Sequence, residues 1–109
     1  MATNDEPLIF GLAKRHYQDL ENVFKRYPDI QQVIIFGSRA KNTAKPDSDF
    51  DLAIQAPTMT EQTFETLWIE LTDLPIIFKL DILHLDKIVN PLLKEKILRE
   101  GKVFYPIIY

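Results

Sequence analysis

The sequence contains no cysteine, which excludes disulfides and thiolate metal sites. It has no apolar run approaching the roughly 20 residues of a membrane span. The opening MATNDEP is polar and acidic, without the basic and apolar regions of a secretory signal. There is no excess of basic charge: 13 Lys and Arg stand against 16 Asp and Glu, the net charge is −3 and the isoelectric point near 5.3. That is a poor footprint for broad nucleic-acid binding, which relies on clustered Lys and Arg. It does not exclude a nucleotide, because bound Mg²⁺ brings its own positive charge. No repeat or low-complexity segment is present. No glycine-lysine-serine/threonine cluster follows Gly37, so there is no P-loop. A calcium loop counted from Asp47 places Leu52 and Thr58 where glycine and an acidic ligand are required. These absences point to a cytoplasmic protein with no membrane partner and no nucleic-acid partner.

What is present fits one domain over residues 1–109. The chain is 46% hydrophobic and 27% charged, ordinary for a globular protein. The stretch that organises it is QVIIFGSRAKNTAKPDSDFDLAI, Gln32 to Ile54. Ile30 to Phe36 is near-continuously apolar and β-branched, as in an interior strand covered on both faces. It stops at Gly37-Ser38, where a turn into a short helix is expected. A loop broken by Pro46 follows, and Asp49 to Ile54 is a second strand.

Elsewhere the apolar spacing predicts a helix from Pro7 to Tyr27, served by Asp5 or Glu6 and ended by Pro28. A second helix runs from Glu61 to about Leu74, capped by Thr58 or Thr60, with Phe64, Leu67, Trp68 and Leu71 as its core side. Phe78 to Leu85 alternates as a strand. Asn90-Pro91 caps a last helix to about Glu100, and Gly101 is expected in the left-handed position that closes it. Val103 to Tyr105 reads as a short edge strand, with Pro106 at its end. The order predicts an α/β domain of the α+β kind, with helices packed on one face of a small mixed sheet. His16 reads as a packing or surface residue and His84 as a packed one.

Residues two apart on a strand share a face, about 6–7 Å apart. Asp49 and Asp51 therefore project together and, as bare carboxylates, repel by about 2.5 kcal/mol at an effective dielectric near 20. Asp81, acidic inside an apolar strand, needs a partner. A divalent cation is the simplest partner for three converging carboxylates, and all-oxygen ligation suits Mg²⁺ or Mn²⁺. Gly37-Ser38 offers backbone donors and a hydroxyl to an anion, and Arg39 and Lys41 add charge. Donors on one ridge and metal ligands on the facing strand serve a metal-bound triphosphate.

At these residues the chain resembles the minimal nucleotidyltransferases of the DNA polymerase β-like superfamily. The family pattern is Gly-Ser, a spacer, Asp-x-Asp and a later acidic residue. Gly37 and Ser38, Asp49 and Asp51, and Asp81 stand at those places, with Arg39-Ala40 and the closing REGKVFY also matching. Asn42 stands where members often carry glycine, and asparagine tolerates the left-handed backbone such a turn requires. The resemblance implies the nucleotidyltransferase fold and transfer of a nucleoside monophosphate from a triphosphate, with ATP the expected donor. It makes Asp49, Asp51 and Asp81 the catalytic residues and the ligands of two Mg²⁺ ions, with Gly37, Ser38 and Arg39 at the nucleotide. Small members are commonly paired with a helical HEPN protein, so an antitoxin that modifies its partner is expected, in a homo- or hetero-oligomer. The last helix and the tail Pro106 to Tyr109 are candidate contact surfaces, or the tail folds on its own core. The other reading is a catalytically silent module that binds nucleotide or masks a partner. Retention of all three acidic positions speaks against it.

Overall fold

The computed structural model describes residues 8–45 and 47–106. The expectations placed on Asp5, Glu6, Pro7, Pro46 and the tail after Pro106 lie outside these residues. Within them the order is α1 (Lys14–Phe24), β1 (Gln32–Phe36), β2 (Phe50–Gln55), α2 (Glu61–Thr72), β3 (Leu80–His84), a 3-10 turn (Leu85–Lys87), α3 (Pro91–Glu100) and β4 (Lys102–Tyr105). The four strands form one sheet in the order β3-β2-β1-β4. β1 pairs antiparallel with β2 and with β4, and β2 pairs parallel with β3. The domain is α+β with a mixed sheet, and β4 is an edge strand as its proline suggests.

Alternation along the strands sorts the core into two parts. Val33, Ile35, Phe50, Leu52 and Ile54 meet Leu20, Val23 and Phe24 of α1 and Leu67 and Leu71 of α2. Ile34 and Ala53 point the other way and join Leu85 and Ile97. The one-sided layering thus holds for α1 and α2, whereas α3 lies against the opposite face. β1, apolar on both sides, is the strand both layers need.

Local signals place most ends. Thr60 caps α2 by accepting from the Thr63 amide at 3.1 Å. Asn90 caps α3 by accepting from the amides of Leu92 and Leu93, with Pro91 in the first turn. Gly101 differs from expectation. It is extended (φ −75°, ψ 164°), and an added Cβ would strike the Ile34 side chain and the Ile97 carbonyl. The glycine is needed for close approach of α3 to β1, not for a left-handed angle.

The first helix is shorter than the periodicity suggests. Phe10 and Gly11 both have positive φ, and Ile9 bridges to Leu12, so the chain turns before α1 begins at Lys14. The segment Gly37–Asn42 is a succession of turns instead of a short helix. Trp68 is 44% exposed. Leu67 and Leu71 take the centre of the α2 stripe, one turn apart, and leave the indole at its rim.

Tyr17 ties the N-terminal helix to the last strand. Its ring packs edge-on against Phe104 at 5.0 Å, and its hydroxyl donates to the Phe104 carbonyl at 2.8 Å, both residues fully buried. Tyr17→Phe removes this bond and leaves the carbonyl with less partnering. A loss of about 1–2 kcal/mol is expected, measured as a lower urea midpoint at unchanged m-value.

Candidate active site

The site is assembled by strand register. Phe36, the last residue of β1, stands opposite Asp51 on β2, and Asp51 stands opposite Asp81 on β3. Asp51 shares its face with Ala53, which belongs to the layer under α3. Gly37 follows Phe36 with φ +75°, and a Cβ there would lie 2.5 Å from Asp51 Oδ2. The bare glycine is therefore what lets the backbone turn rest on the carboxylate. The turn closes on itself through Lys41 N–H to the Gly37 carbonyl, Asn42 N–H to Arg39 and Thr43 N–H to Ser38. Asn42 supplies the left-handed residue (φ 59°) that this path requires.

Between this turn, β2 and α3 lies a cleft of about 340 Å³. Gly37, Ser38, Lys41 and Asp51 line one side, and Leu93, Lys96, Ile97 and Glu100 of α3 line the other. Asp51 meets Asp81 closely enough for the two carboxyl groups to share a hydrogen bond. Burial, foremost, and the charges of Asp81 and Asp49 push the Asp51 carboxyl up to about 6. Asp81 is more open, 47% exposed, with Lys79 Nζ at 3.8 Å from its Oδ1. Asp49 immediately precedes β2 and acts on Asp51 through its charge.

A half-buried carboxyl pushed up by a second acid set beside it is a donor set that a hard divalent cation suits. Among the described residues, no three acidic, histidine or cysteine side chains close around a single point. The pair Asp51–Asp81 is drawn together, and Asp49 stands beside it.

Arg39 is placed differently from the expectation of a phosphate contact. It is buried, with its guanidinium over the rings of Phe50 at 4.2 Å and Phe78 at 5.1 Å. It donates to the Ser48 carbonyl at 2.8 Å, and Gly11 packs directly on it. Phe50 faces away from Asp51, so Arg39 is on the far side of the sheet from the cleft and anchors the segment that delivers Asp49. His84 is packed, as read from sequence: its ring stacks on Phe64 and its Nε2 lies 2.9 Å from the Ala56 carbonyl.

Sequence reasoning missed the α3 wall. Leu93, Lys96, Ile97 and Glu100 recur at helical spacing, a signal in plain view, but the polar members look like an ordinary solvated face.

A family model described as polymerase beta, nucleotidyltransferase matches residues 18–107. No curated protein sequence matches the chain. Among solved structures, a chain of a toxin–antitoxin crystallised with AMP-PNP superposes with TM-score 0.65 at 21% identity, over 82% of this chain and 72% of that one. A chain of the toxin–antitoxin MntA-HepT gives 0.61 at 18% identity, over 85% and 72%. A chain of a tri-AMPylated Shewanella oneidensis HEPN toxin in complex with its MNT antitoxin gives 0.60 at 18%, over 84% and 71%. At these identities the likeness is one of fold.

The raised Asp51 carboxyl has a consequence for stability. Its folded value lies above the ordinary 3.8, so the folded chain holds this proton more tightly than the unfolded chain. That contribution is fully present below about pH 3.8 and is lost as the pH rises through about 6. Metal-free Asp51→Asn is expected to be more stable than wild type at pH 7.5 by on the order of 1 kcal/mol, allowing for solvent screening. The gap should close near pH 4, as read from urea melts at the two pH values.

Proposed function

Because the chain belongs to the polymerase beta nucleotidyltransferase family, we propose that it transfers AMP from ATP to a hydroxyl of a helical HEPN-type partner, as the antitoxin of a two-component pair. The observation that carries this reading is the in-register Asp51–Asp81 pair with the Gly37-Ser38 turn resting on Asp51, where turn and Asp51 together form one wall of the cleft of about 340 Å³. Further support comes from the fold neighbours, one crystallised with AMP-PNP and one with an AMPylated HEPN toxin.

Asp49, Asp51 and Asp81 would hold Mg²⁺, two ions in the family scheme, which supply positive charge at the triphosphate when bound. The remaining work falls to the chain itself. Gly37 and Ser38 receive the terminal phosphates through the turn backbone and the Ser38 hydroxyl. The apolar Phe36, Leu93 and Ile97 beside them restrict water. Asp81 is the most open of the paired acids and takes the proton of the incoming hydroxyl. The acceptor oxygen bonds to the α-phosphorus as the bond to pyrophosphate breaks, and positioning with charge stabilisation accounts for the rate.

The test is mass spectrometry of the product of the adjacent gene, after incubation with the purified chain, ATP and Mg²⁺. A gain of one or more AMP units is expected. The double variant Asp49→Asn/Asp51→Asn should lower transfer by about a hundredfold or more while remaining folded. Undiminished transfer by that variant, or neutralisation of the partner by wild type without ATP, defeats the assignment.

A further inference from the structure

On the reading of the cleft as a triphosphate site, we propose that Glu100 is a built-in counter-anion. It holds Lys41 until a triphosphate takes its place, and Lys96 is the second cation that receives the phosphates. Lys41 belongs to the phosphate-facing turn, whereas Lys96 and Glu100 stand one helical turn apart on α3, across the cleft. Lys41 Nζ donates to Glu100 Oε1 at 2.9 Å, so one ion pair spans the two walls. Glu100 is held below the usual carboxylate range by the Lys41 hydrogen bond first, and by Arg99 and Lys96 as well. It is therefore charged at neutral pH, where a triphosphate is anionic as well.

The cleft presents two ammonium groups and one carboxylate beside Gly37 and Ser38. A polyanion arriving there is attracted by Lys41 and Lys96 and repelled by Glu100. The Lys41–Glu100 pair is partly exposed, 47% and 29% by side chain, and such pairs hold weakly. A phosphate oxygen offers Lys41 the same charge-assisted bond that the carboxylate offers. Exchange therefore costs little, and Glu100 sets the affinity by competing inside the molecule. Its other oxygen is 3.4 Å from Arg99 Nη2, which gives the displaced carboxylate a resting partner on the same helix.

The test is calorimetric binding of ATP with Mg²⁺, and of inorganic triphosphate without metal, to the full chain. Lys41→Gln and Lys96→Gln should each weaken binding about tenfold, with Lys96→Arg retaining it. Glu100→Gln should tighten binding about three- to fivefold, and Glu100→Ala should do the same. Most of that gain should vanish in the Lys41→Gln background, because it runs through Lys41. Tightening is not what structural damage produces. Unchanged or weaker affinity in both Glu100 variants, or unchanged affinity in Lys96→Gln, overturns the inference while leaving the transferase reading standing. Failure of the wild type to bind ATP with Mg²⁺ overturns both.

Discussion

Like charge at close quarters organises this molecule. The parallel pairing of β2 with β3 sets Asp51 opposite Asp81, and the antiparallel pairing of β1 with β2 sets Phe36 opposite Asp51. The first pairing creates an unfavourable electrostatic contact, and the second delivers the glycine turn to the same spot. A one-residue slip in either would send a carboxylate into the α1–α2 layer. Large apolar residues on the facing positions, Phe50, Leu52, Ile54 and Ile82, make such a slip costly. The hydrophobic core thus holds in register a cluster of acids that would not assemble by itself.

The two layers divide the labour. The α1–α2 side is apolar and stapled by Tyr17 to Phe104 and by Tyr27 and Arg26 to Glu70. The α3 side carries a smaller apolar cluster and leaves space beside it for the cleft. The larger apolar cluster lies on one face, and the cleft with Asp51 lies on the other. Arg39 crosses that division: it stands in the turn next to Ser38, yet its guanidinium lies among aromatic rings of the stable layer.

Much of this was legible in the residues themselves. The apolar run before Gly37, the alternation after Asp49, and the caps Thr60 and Asn90 each state a local rule that the structure obeys. Period-two geometry put Asp51 on the face away from Phe50 and Leu52, but its pairing with Asp81 rests on the β2–β3 register, which no local rule supplies. What was not legible depended on distant contacts. Leu8 and Leu12 have helical spacing, but Gly11 must pass over Arg39, so the chain turns there instead. Arg39 looks like a phosphate ligand until the positions of Phe50 and Phe78 are known. The purpose of Gly101 was hidden for the same reason: its demand is set by Ile34, which lies 67 positions earlier in the chain.

That glycine has a mechanical consequence. With no room even for a methyl group between the end of α3 and β1, the helix is seated on the sheet at its Glu100 end. The Pro91 end carries the exposed Leu92 and half-exposed Leu93 and has no such seat. The Gly101 contact fixes the Glu100 end of α3 against β1 and, through the Lys41–Glu100 bond, sets the spacing of the two cleft walls at that end.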